Sequence, residues 1–432
     1  MNGSTVRIGL LGCGNVGAAL VQLIAENGDA VAARTGLRLE VTRVAVHDPT
    51  KPRCVDLPAA AFTGDAAAVV ADPDVDLVVE VIGGVEPAKT LVLAALKSGK
   101  PVVTANKELL ADSGAELFDA AAKAGVDLLF EAAVAGAIPI MRPLRESLAG
   151  DRIQRVLGIV NGTTNFILTR MSESGQSFAE ALAEAQSLGY AERDPTADVE
   201  GFDAAAKAAI IASVAFGVDV RAADVYREGI TGVTVDDIAM AARLGYVVKL
   251  LAVADSVREP GGDRVAVRVY PAMVPVAHPL AAVREAYNAV FVQGAAAGDL
   301  MFYGRGAGGR PTASAVLGDV VDAATNLRQG TSAGVAGLAA ARLRPMDELE
   351  SQYYLTLDVV DRPGVLERVA HAFADNSVSI VQVLQVGMED EARLVLVTHT
   401  ARERDMQATL AALRGLEVVD RVGTLLRVVG PE

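Results

Sequence analysis

One short segment of the chain, Ala185–Lys207, concentrates charged side chains in a loop between two predicted helices. Its charged residues are Glu192, Arg193, Asp194, Asp198, Glu200, Asp203 and Lys207. The second helix begins near Gly201, so Asp203 and Lys207, spaced at i and i+4, share one helix face. Carboxylates and a lysine are seldom buried in a core, yet here they adjoin an apolar, alanine-rich helix. The segment therefore predicts a functional site. The alternative is a surface ion pair between Asp203 and Lys207, with an exposed lysine and no catalytic effect.

The helix that precedes this loop has clear end signals. Ser177 and Glu180 are spaced as a capping box, and Gly189 stands where a glycine commonly ends a helix. The charged loop is therefore bounded by a helix on each side.

The amino terminus carries a pattern typical of dinucleotide binding. A predicted buried strand, Val6–Leu11, leads into the glycine-rich turn Gly12–Gly17, and an amphipathic helix follows. This is the context that a G-x-G-x-x-G motif requires. Gly12 permits the tight turn, Gly14 lets the backbone approach a pyrophosphate, and Gly17 lets the helix pack close to the strand. The alternative is a glycine turn in another α/β fold.

The end of the second predicted strand, Leu39–Val46, bears on the choice between NAD and NADP. Asp48 could bind the ribose 2′-hydroxyl of NAD, whereas His47, Lys51 and Arg53 could bind the 2′-phosphate of NADP. The basic residues slightly favour NADP, and NAD remains the alternative.

The composition describes an acidic chain with few cysteines. Its 432 residues suggest roughly two to four domains, and a net charge of −15 argues against nucleic acid and membrane partners. Cys13 and Cys54 cannot make a disulfide framework, which suits a reducing compartment. Residues 1–5 lead directly into a strand, and no apolar stretch is long enough to span a bilayer. We therefore expect a cytoplasmic protein.

Three separated motifs occur in the order found in homoserine dehydrogenases: the glycine-rich turn, Thr104–Lys107 and Ala185–Lys207. The whole chain resembles a monofunctional homoserine dehydrogenase with a carboxy-terminal ACT domain. The resemblance implies NAD(P)-dependent interconversion of L-homoserine and L-aspartate 4-semialdehyde, in threonine, methionine and isoleucine biosynthesis. The alternatives are another Rossmann oxidoreductase and a non-catalytic amino-acid sensor. Retention of Lys107, Asp203 and Lys207 argues against the sensor.

The predicted fold class is α/β, in three parts. Alternating strands and helices predict a Rossmann-type, doubly wound sheet over residues 1–135, completed by residues 305–341. An α+β substrate-binding and dimerisation domain is expected at 136–304, and a ferredoxin-like ACT domain at 350–432. Strands of the middle domain are expected at 152–160, 229–230, 266–273 and 289–292. The resemblance further implies a homodimer or homotetramer.

The resemblance assigns roles to individual residues. Lys207 would protonate the developing alkoxide, Lys107 would be a catalytic or substrate-orienting cation beside the nicotinamide, and Asp203 would position the substrate amine or hydroxyl and fix Lys207. Glu192 and Asp198 would hold the substrate ammonium; from the residues alone they are a solvated carboxylate and a helix N-cap. Which lysine transfers the proton stays open. The cofactor contacts implied by the resemblance are Gly12, Gly14, Asn15, Val16, Gly17, Thr104, Lys107 and Gly306.

The resemblance also implies a sodium-type cation site after the last strand of the first domain. Its ligands would be the Glu131 carboxylate and the carbonyls of Val134, Gly136 and Ile138. Judged from the residues alone, an ordinary glycine-containing strand exit is the better interpretation.

The segment Asp361–Leu366, sequence DRPGVL, resembles the ligand-binding turn of an ACT domain. Gly364 would let a ligand carboxylate meet backbone N–H groups at a helix start, and threonine is the expected effector. The alternative is a structural dimerisation module that binds nothing. Arg342–Leu349 is an expected linker that few contacts cross, so truncation near Glu350 should leave activity and remove inhibition.

Overall fold

The amino-terminal part of the chain forms a parallel sheet with helices on both faces. A computed structural model describes residues 4–335, 337–388 and 391–430. The predicted domains also include residues outside these ranges, namely 1–3, 336, 389–390 and 431–432. The elements of this part are β1 (Ser4–Leu11), α1 (Asn15–Thr35), β2 (Leu37–Ala45), β3 (Phe62–Thr63), α2 (Ala66–Ala71), β4 (Leu77–Glu80), α3 (Ala88–Lys97), β5 (Val102–Thr104), α4 (Lys107–Ala124) and β6 (Leu128–Leu129).

The strand order of this sheet is β3-β2-β1-β4-β5-β6, with all pairs parallel. The order reverses between β1 and β4, and ligands bind in the crevice at such a switch point. Ile8, Leu10 and Leu11 in β1 are fully buried, as a strand covered on both faces requires. The Rossmann-type prediction is confirmed.

The middle part is an antiparallel sheet with helices packed on it. Its elements are β7 (Ile153–Ile159), α5 (Gly162–Ser174), α6 (Phe178–Ser187), α7 (Thr196–Val199), α8 (Phe202–Phe216), β8 (Val218–Asp219), β9 (Tyr226–Arg227), α9 (Val235–Arg243), β10 (Tyr246–Glu259), β11 (Gly262–Pro275), β12 (Tyr287–Gly294) and β13 (Gly298–Arg305). The capping box of Ser177 and Glu180 begins α6, as predicted. Helix α10 (Gly309–Gln329) then returns to the first part and packs beside α1, where Arg310 pairs with Glu26 at 2.7 Å.

Three details of the middle sheet differ from the sequence prediction. Gly229-Ile230 is not a strand, because the Ile230 N–H is bound to the Val199 carbonyl at 2.8 Å instead of to a neighbouring strand. The strand of this region is β9, three residues earlier. Strands β10 and β13 have no counterpart in the prediction.

The carboxy-terminal part has the βαββαβ pattern of a ferredoxin-like domain. After β14 (Ala339–Ala340), its elements are β15 (Glu350–Val360), α11 (Val365–Asp375), β16 (Ile380–Met388), β17 (Glu391–Thr398), β18 (Ala401–Arg402), α12 (Glu403–Arg414) and β19 (Val419–Val428). Its four long strands pair antiparallel in the order β19-β15-β17-β16. No helix within the described ranges is both long and apolar enough to cross a membrane.

The carboxy-terminal sheet is continuous with the sheet of the middle part. Strand β19 pairs parallel with β11 at Ala272 and Met273. Arg427 in β19 is 1% exposed, makes two hydrogen bonds with Glu403 in α12, and donates to Glu228 of the middle part at 2.8 Å. The expectation that few contacts join the two parts is therefore wrong, because they share backbone pairing and a buried ion-pair network.

Candidate active site

Asp203 lies at the centre of a buried charge cluster. Lys107 Nζ donates to its Oδ1, and Lys207 Nζ donates to its Oδ2 at 2.7 Å. Asn161 Nδ2 donates to Oδ2 at 2.9 Å, and Lys207 also donates to the Val160 carbonyl at 2.7 Å. The side chain of Lys207 is only 12% exposed. The surface ion pair considered as an alternative is therefore excluded.

The fold brings these groups together from three elements. Lys107 is the first residue of α4, directly beyond the carboxyl end of β5 in the parallel sheet. Asp203 and Lys207 lie one turn apart on α8, whose alanines pack into the core. Asn161 follows β7 and caps α5 by accepting the Thr164 N–H at 2.8 Å. The cluster thus lies where the first and middle parts meet.

The lysines hold Asp203 as a carboxylate. Burial alone would raise its pKa, but the ammonium groups of Lys207 and Lys107 outweigh burial and hold that pKa well below its usual range. Burial alone would lower the pKa of Lys107, but Asp203 outweighs it, and the pKa of Lys107 lies above its usual value. Attraction to the Asp203 carboxylate therefore keeps Lys107 in its charged, ammonium form.

The two predicted ammonium-binding carboxylates occupy different environments. Asp198 in α7 is half-buried and accepts from Asn161 Nδ2 at 2.7 Å, so Asn161 bridges it to Asp203. Glu192 lies on the exposed part of the loop, where its carboxylate has no partner within the described residues. The cluster thus includes Asp198 but not Glu192.

A cavity of about 250 Å³ opens beside the two lysines. Lys107 and Lys207 form one side of it. Glycine-rich turns form much of the rest, with Gly83 and Gly84 after β4, and with Gly136 and Gly306. Small residues leave room for a small substrate next to the lysine ammonium groups.

A second cavity, of about 780 Å³, lies over the carboxyl end of β1. Gly12, Gly14 and Asn15 line it, and no atom lies within 4 Å of the position that a Cβ on Gly14 would take. Gly12 has φ of +99°, and a Cβ on Gly17 would overlap the Gly12 carbonyl. These positions meet the three geometric demands that a dinucleotide motif places on its glycines.

Three of the implied cofactor residues, Val16, Gly17 and Thr104, line neither cavity. Val16 packs against the hydrophobic core of the parallel sheet. Thr104 is fully buried, and its hydroxyl donates to Glu80 at 2.6 Å. The side chain of Thr104 therefore supports the turn that carries Lys107 instead of facing the cofactor cavity.

Sequence reasoning assigned no individual role to Asn161, Glu80 or Asn106, which support the site. Glu80 is fully buried and accepts the N–H groups of Ile82 and Gly83 at 2.8 and 3.2 Å. Asn106 caps α4 and donates to the Gly84 carbonyl at 2.7 Å. Together they fix the turns on either side of Lys107. A carboxylate at the end of an otherwise apolar buried strand was the available signal for Glu80.

Comparison with known proteins identifies the family of this site. Residues 139–321 match the profile of the homoserine dehydrogenase family, residues 12–131 that of the homoserine dehydrogenase NAD binding domain, and residues 353–418 that of the ACT domain. The homoserine dehydrogenase of Corynebacterium glutamicum is 52% identical over 98% of this chain and 96% of its own length. The chain belongs to the homoserine dehydrogenase family.

Solved structures of homoserine dehydrogenases agree with this assignment. The crystal structure of the Thiobacillus denitrificans enzyme covers 99% of this chain and 98% of its own, with 40% identity and a TM-score of 0.92. A hyperthermophilic archaeal enzyme in complex with NADPH covers 74% of this chain and 98% of its own, with 29% identity and a TM-score of 0.63. The mixed α/β architecture with an ACT domain is thus that of homoserine dehydrogenases.

In this family member, the segment Glu131–Ile138 follows β6 as a mostly buried loop. The Glu131 carboxylate accepts the backbone N–H groups of Ile140, Met141 and Arg142. The carbonyls of Val134, Gly136 and Ile138 accept no backbone hydrogen bond within the described residues, and neither do those of Ala132, Ala133 and Ala137. No group of three or more His, Cys, Asp or Glu in the described chain is placed to hold a metal, so any cation here would depend on these carbonyls.

The ACT domain holds a third cavity, of about 410 Å³. The turn Asp361–Leu366 lines it, together with Gln385 and Leu394 from two strands. Gly364 has φ of +87° and directly precedes α11, so the first N–H groups of that helix lie beside the turn.

Proposed function

We propose that the protein interconverts L-homoserine and L-aspartate 4-semialdehyde with a nicotinamide cofactor. The observation that carries this proposal is Asp203, which holds two lysines at the edge of a small cavity next to a dinucleotide site. Full-length similarity to homoserine dehydrogenases supports it. The bound cofactor supplies or accepts the hydride, while the protein orients the substrate and manages one proton.

The carboxylates on the substrate side are suited to an amino group. Asp198 and Asp203 are joined through Asn161, which fixes their orientation. Glu192 is exposed and unpaired within the described residues, which leaves it free to contact a bound ammonium. We assign Asp198 and Glu192 to the substrate ammonium, and Asp203 to positioning of the substrate and of Lys207.

The lysines are suited to the oxygen that changes charge. During reduction of the aldehyde, the carbonyl oxygen becomes an alkoxide and needs a proton. Lys207 has two of its three N–H groups bound, to Asp203 and Val160, so its third is fixed in direction. We assign proton transfer to Lys207, and to Lys107, held as an ammonium, the stabilisation of the developing negative charge.

The cofactor cavity favours NADP. His47, Lys51 and Arg53 all line it, whereas Asp48 does not. Asp48 Oδ1 is instead bound to the backbone and side chain of Thr50, at 2.9 and 2.7 Å. Asp48 is thus turned toward its own loop and does not line the cavity, whereas the basic residues that line it suit a 2′-phosphate. The archaeal relative with bound NADPH is consistent with this choice.

The loop Glu131–Ile138 fits a monovalent cation. The carbonyls of Val134, Gly136 and Ile138, which the family resemblance names as ligands, are among six in this loop that accept no backbone hydrogen bond within the described residues. The Glu131 carboxylate accepts three N–H groups, which leaves one of its roughly four lone-pair positions free. Oxygen ligands with a single negative charge suit a sodium-type ion, which would brace this loop against the active-site cavity.

The ACT-domain cavity suits an amino-acid effector. Backbone N–H groups at the start of α11 can receive a carboxylate, and the Asp361 side chain can receive an ammonium. We propose threonine, an end product of the pathway, as the ligand and feedback inhibitor. We further propose a homodimer or homotetramer, which the exposed Met301 and Tyr303 on the edge strand β13 support.

The experiment that tests the proposed activity follows the absorbance of NADPH in the presence of aspartate semialdehyde. Consumption of NADPH that depends on the semialdehyde supports the proposal, and no consumption with either NADPH or NADH refutes it.

A further inference from the structure

Asn288 in β12 is a fully buried amide whose polar atoms are unpaired. The residue is 1% exposed, and neither Oδ1 nor Nδ2 has a hydrogen-bond partner among the described residues. Buried amides in folded proteins are almost always paired, because an unpaired amide has lost its hydration without compensation. Two orphaned atoms on one buried side chain point to a ligand that binds beside it.

The position of Asn288 shows which ligand this would be. Its amide lies against Gly306, where any Cβ would overlap it. The Gly306 carbonyl in turn lies against Gly136, where a Cβ would overlap that carbonyl. The Ala137 N–H donates to the Arg305 carbonyl at 3.1 Å, so the two segments are held together. Gly306 therefore lies between Asn288 and the loop Glu131–Ile138, in close contact with both.

Several oxygen atoms near the Gly306 peptide accept no hydrogen bond or keep a free position for one. The carbonyls of Val134, Gly136 and Ile138 accept no hydrogen bond in the described part of the chain, and the Glu131 carboxylate keeps one free position. With the Asn288 amide oxygen they make a set of oxygens that carries one formal negative charge. Such a set matches the oxygen coordination of a hard cation of low charge.

We propose that Asn288 is a further member of the monovalent-cation site, binding the cation with its amide oxygen through one water molecule. The inference rests on the cation site proposed above. Because no partner holds either amide atom, the side chain can turn its oxygen toward the cation. Gly306 lines the active-site cavity, so Asn288 connects cation binding to the glycine turn beside the two lysines.

The test measures thermal stability, so that it does not depend on activity. The full-length protein is dialysed into choline chloride and titrated with NaCl or KCl at constant ionic strength. Wild type should gain about 3–6 °C in Tm at cation concentrations 100-fold above the dissociation constant. Asn288→Leu keeps the shape but removes the oxygen, and the apparent dissociation constant should rise at least about tenfold. Glu131→Gln is the reference for loss of the site.

Asn288→Asp keeps an oxygen at this position and adds a negative charge that only a bound cation would neutralise. The Tm of this variant should therefore rise more steeply with cation concentration than the Tm of wild type. An Asn288→Leu titration that overlays wild type, or an Asn288→Asp titration no steeper than wild type, would overturn the role of Asn288 and leave the cation site standing. A wild-type Tm that responds to neither NaCl nor KCl would overturn the cation site and this inference with it, while the proposed dehydrogenase activity would stand on its own assay.

Discussion

Lys207 Nζ lies 2.7 Å from Asp203 Oδ2 on one face of α8, and both side chains are buried. An i,i+4 pair of the same residue types also occurs on the surface, where Lys123 and Asp119 in α4 are well exposed. Spacing alone does not distinguish these pairs. Burial, the second lysine at Asp203 and the adjacent cavity mark the first pair as part of the site.

Replacement of either active-site lysine should abolish most activity while leaving the fold intact. Lys207→Ala removes the proposed proton donor, and Lys107→Ala removes the charge beside the reacting oxygen, so each should lower kcat by about 10²–10⁴-fold. Steady-state kinetics and circular dichroism check this. Lys123→Ala is the matched control and should keep wild-type kcat. Near-normal kcat in Lys207→Ala would show that this lysine is only structural.

Asp203 should stabilise the protein in a pH-dependent way. Its pKa in the folded protein lies below its value in the unfolded chain, about 3.9. The ionised carboxylate therefore contributes stability that is fully present above that value and is lost as pH falls toward the folded pKa. Asp203→Asn should lower stability by about 3 kcal/mol near neutral pH, since the largely buried ammonium of Lys207 and the partly exposed ammonium of Lys107 lose their anionic partner.

Thermal melts between pH 7 and pH 3 measure this effect. The difference in Tm between wild type and Asp203→Asn should narrow below about pH 4. Asp119→Asn, which removes an exposed ion pair, should differ little from wild type at any pH. A difference that stays constant across the range would show that ion pairing does not account for the contribution of Asp203.

Arg53 should determine preference for NADPH. Its guanidinium donates to the carbonyls of Lys51 and Asp48 at 2.8 and 2.9 Å, which holds it at the wall of the cofactor cavity. Loss of a hydrogen bond to a charged phosphate costs about 1.5–3 kcal/mol, so Arg53→Ala should raise KM for NADPH by about 10–100-fold. KM for NADH should change little.

Arg38 in β2 is exposed and lies outside this cavity, so Arg38→Ala serves as the control. Equal loss of NADPH and NADH binding in Arg53→Ala would contradict a 2′-phosphate contact and would make Arg53 a general support of the loop.

Threonine should inhibit the full-length protein through the cavity in the ACT domain. Gln385→Ala alters the wall of that cavity and should raise the inhibitory threonine concentration several-fold without changing kcat, which a coupling free energy of about 1–3 kcal/mol allows. Gln382→Ala changes the same strand outside the cavity and should leave inhibition unchanged. Equal inhibition of both variants and wild type would place the effector site elsewhere, and no inhibition of wild type would favour a structural ACT domain.

The structure also changes what truncation near Glu350 should do. Removal of β19 would expose the edge of β11 and leave Glu228 without Arg427. We therefore expect the truncated protein to be destabilised and prone to aggregation, contrary to the expectation of an active fragment from the sequence. Thermal melting and size-exclusion chromatography of the truncated chain test this.

The sequence predicted the features that local patterns encode. The motif Gly12–Gly17, the ends of α6 and the pairing of Asp203 with Lys207 depend on residues close together in the chain. The pairing of Asp203 with Lys107 was not predicted, because it joins residues far apart in sequence through the packing of α4 on α8.

Other features could not be predicted because they arise only in the folded chain. The bridge from Asn161 to Asp198 and Asp203 depends on the separation of two helices. The parallel pairing of β11 with β19 joins segments on either side of the expected linker, and a linker's composition carries no information about which strand edges meet. The unpaired amide of Asn288 likewise resembles any polar residue in a strand until its surroundings are known.

The measurement that bears most directly on the proposed function is the absorbance of NADPH at saturating cofactor with L-aspartate 4-semialdehyde as the varied substrate. The protein should consume NADPH in proportion to semialdehyde reduced, and with NADP and L-homoserine it should form NADPH in reverse. The rate of Lys207→Ala, purified in parallel, should be at least about 100-fold lower than that of wild type. Such a difference would exclude a contaminating enzyme as the source of the activity. No turnover of wild type with either NADPH or NADH at millimolar semialdehyde would contradict the assignment of this site to homoserine dehydrogenase chemistry.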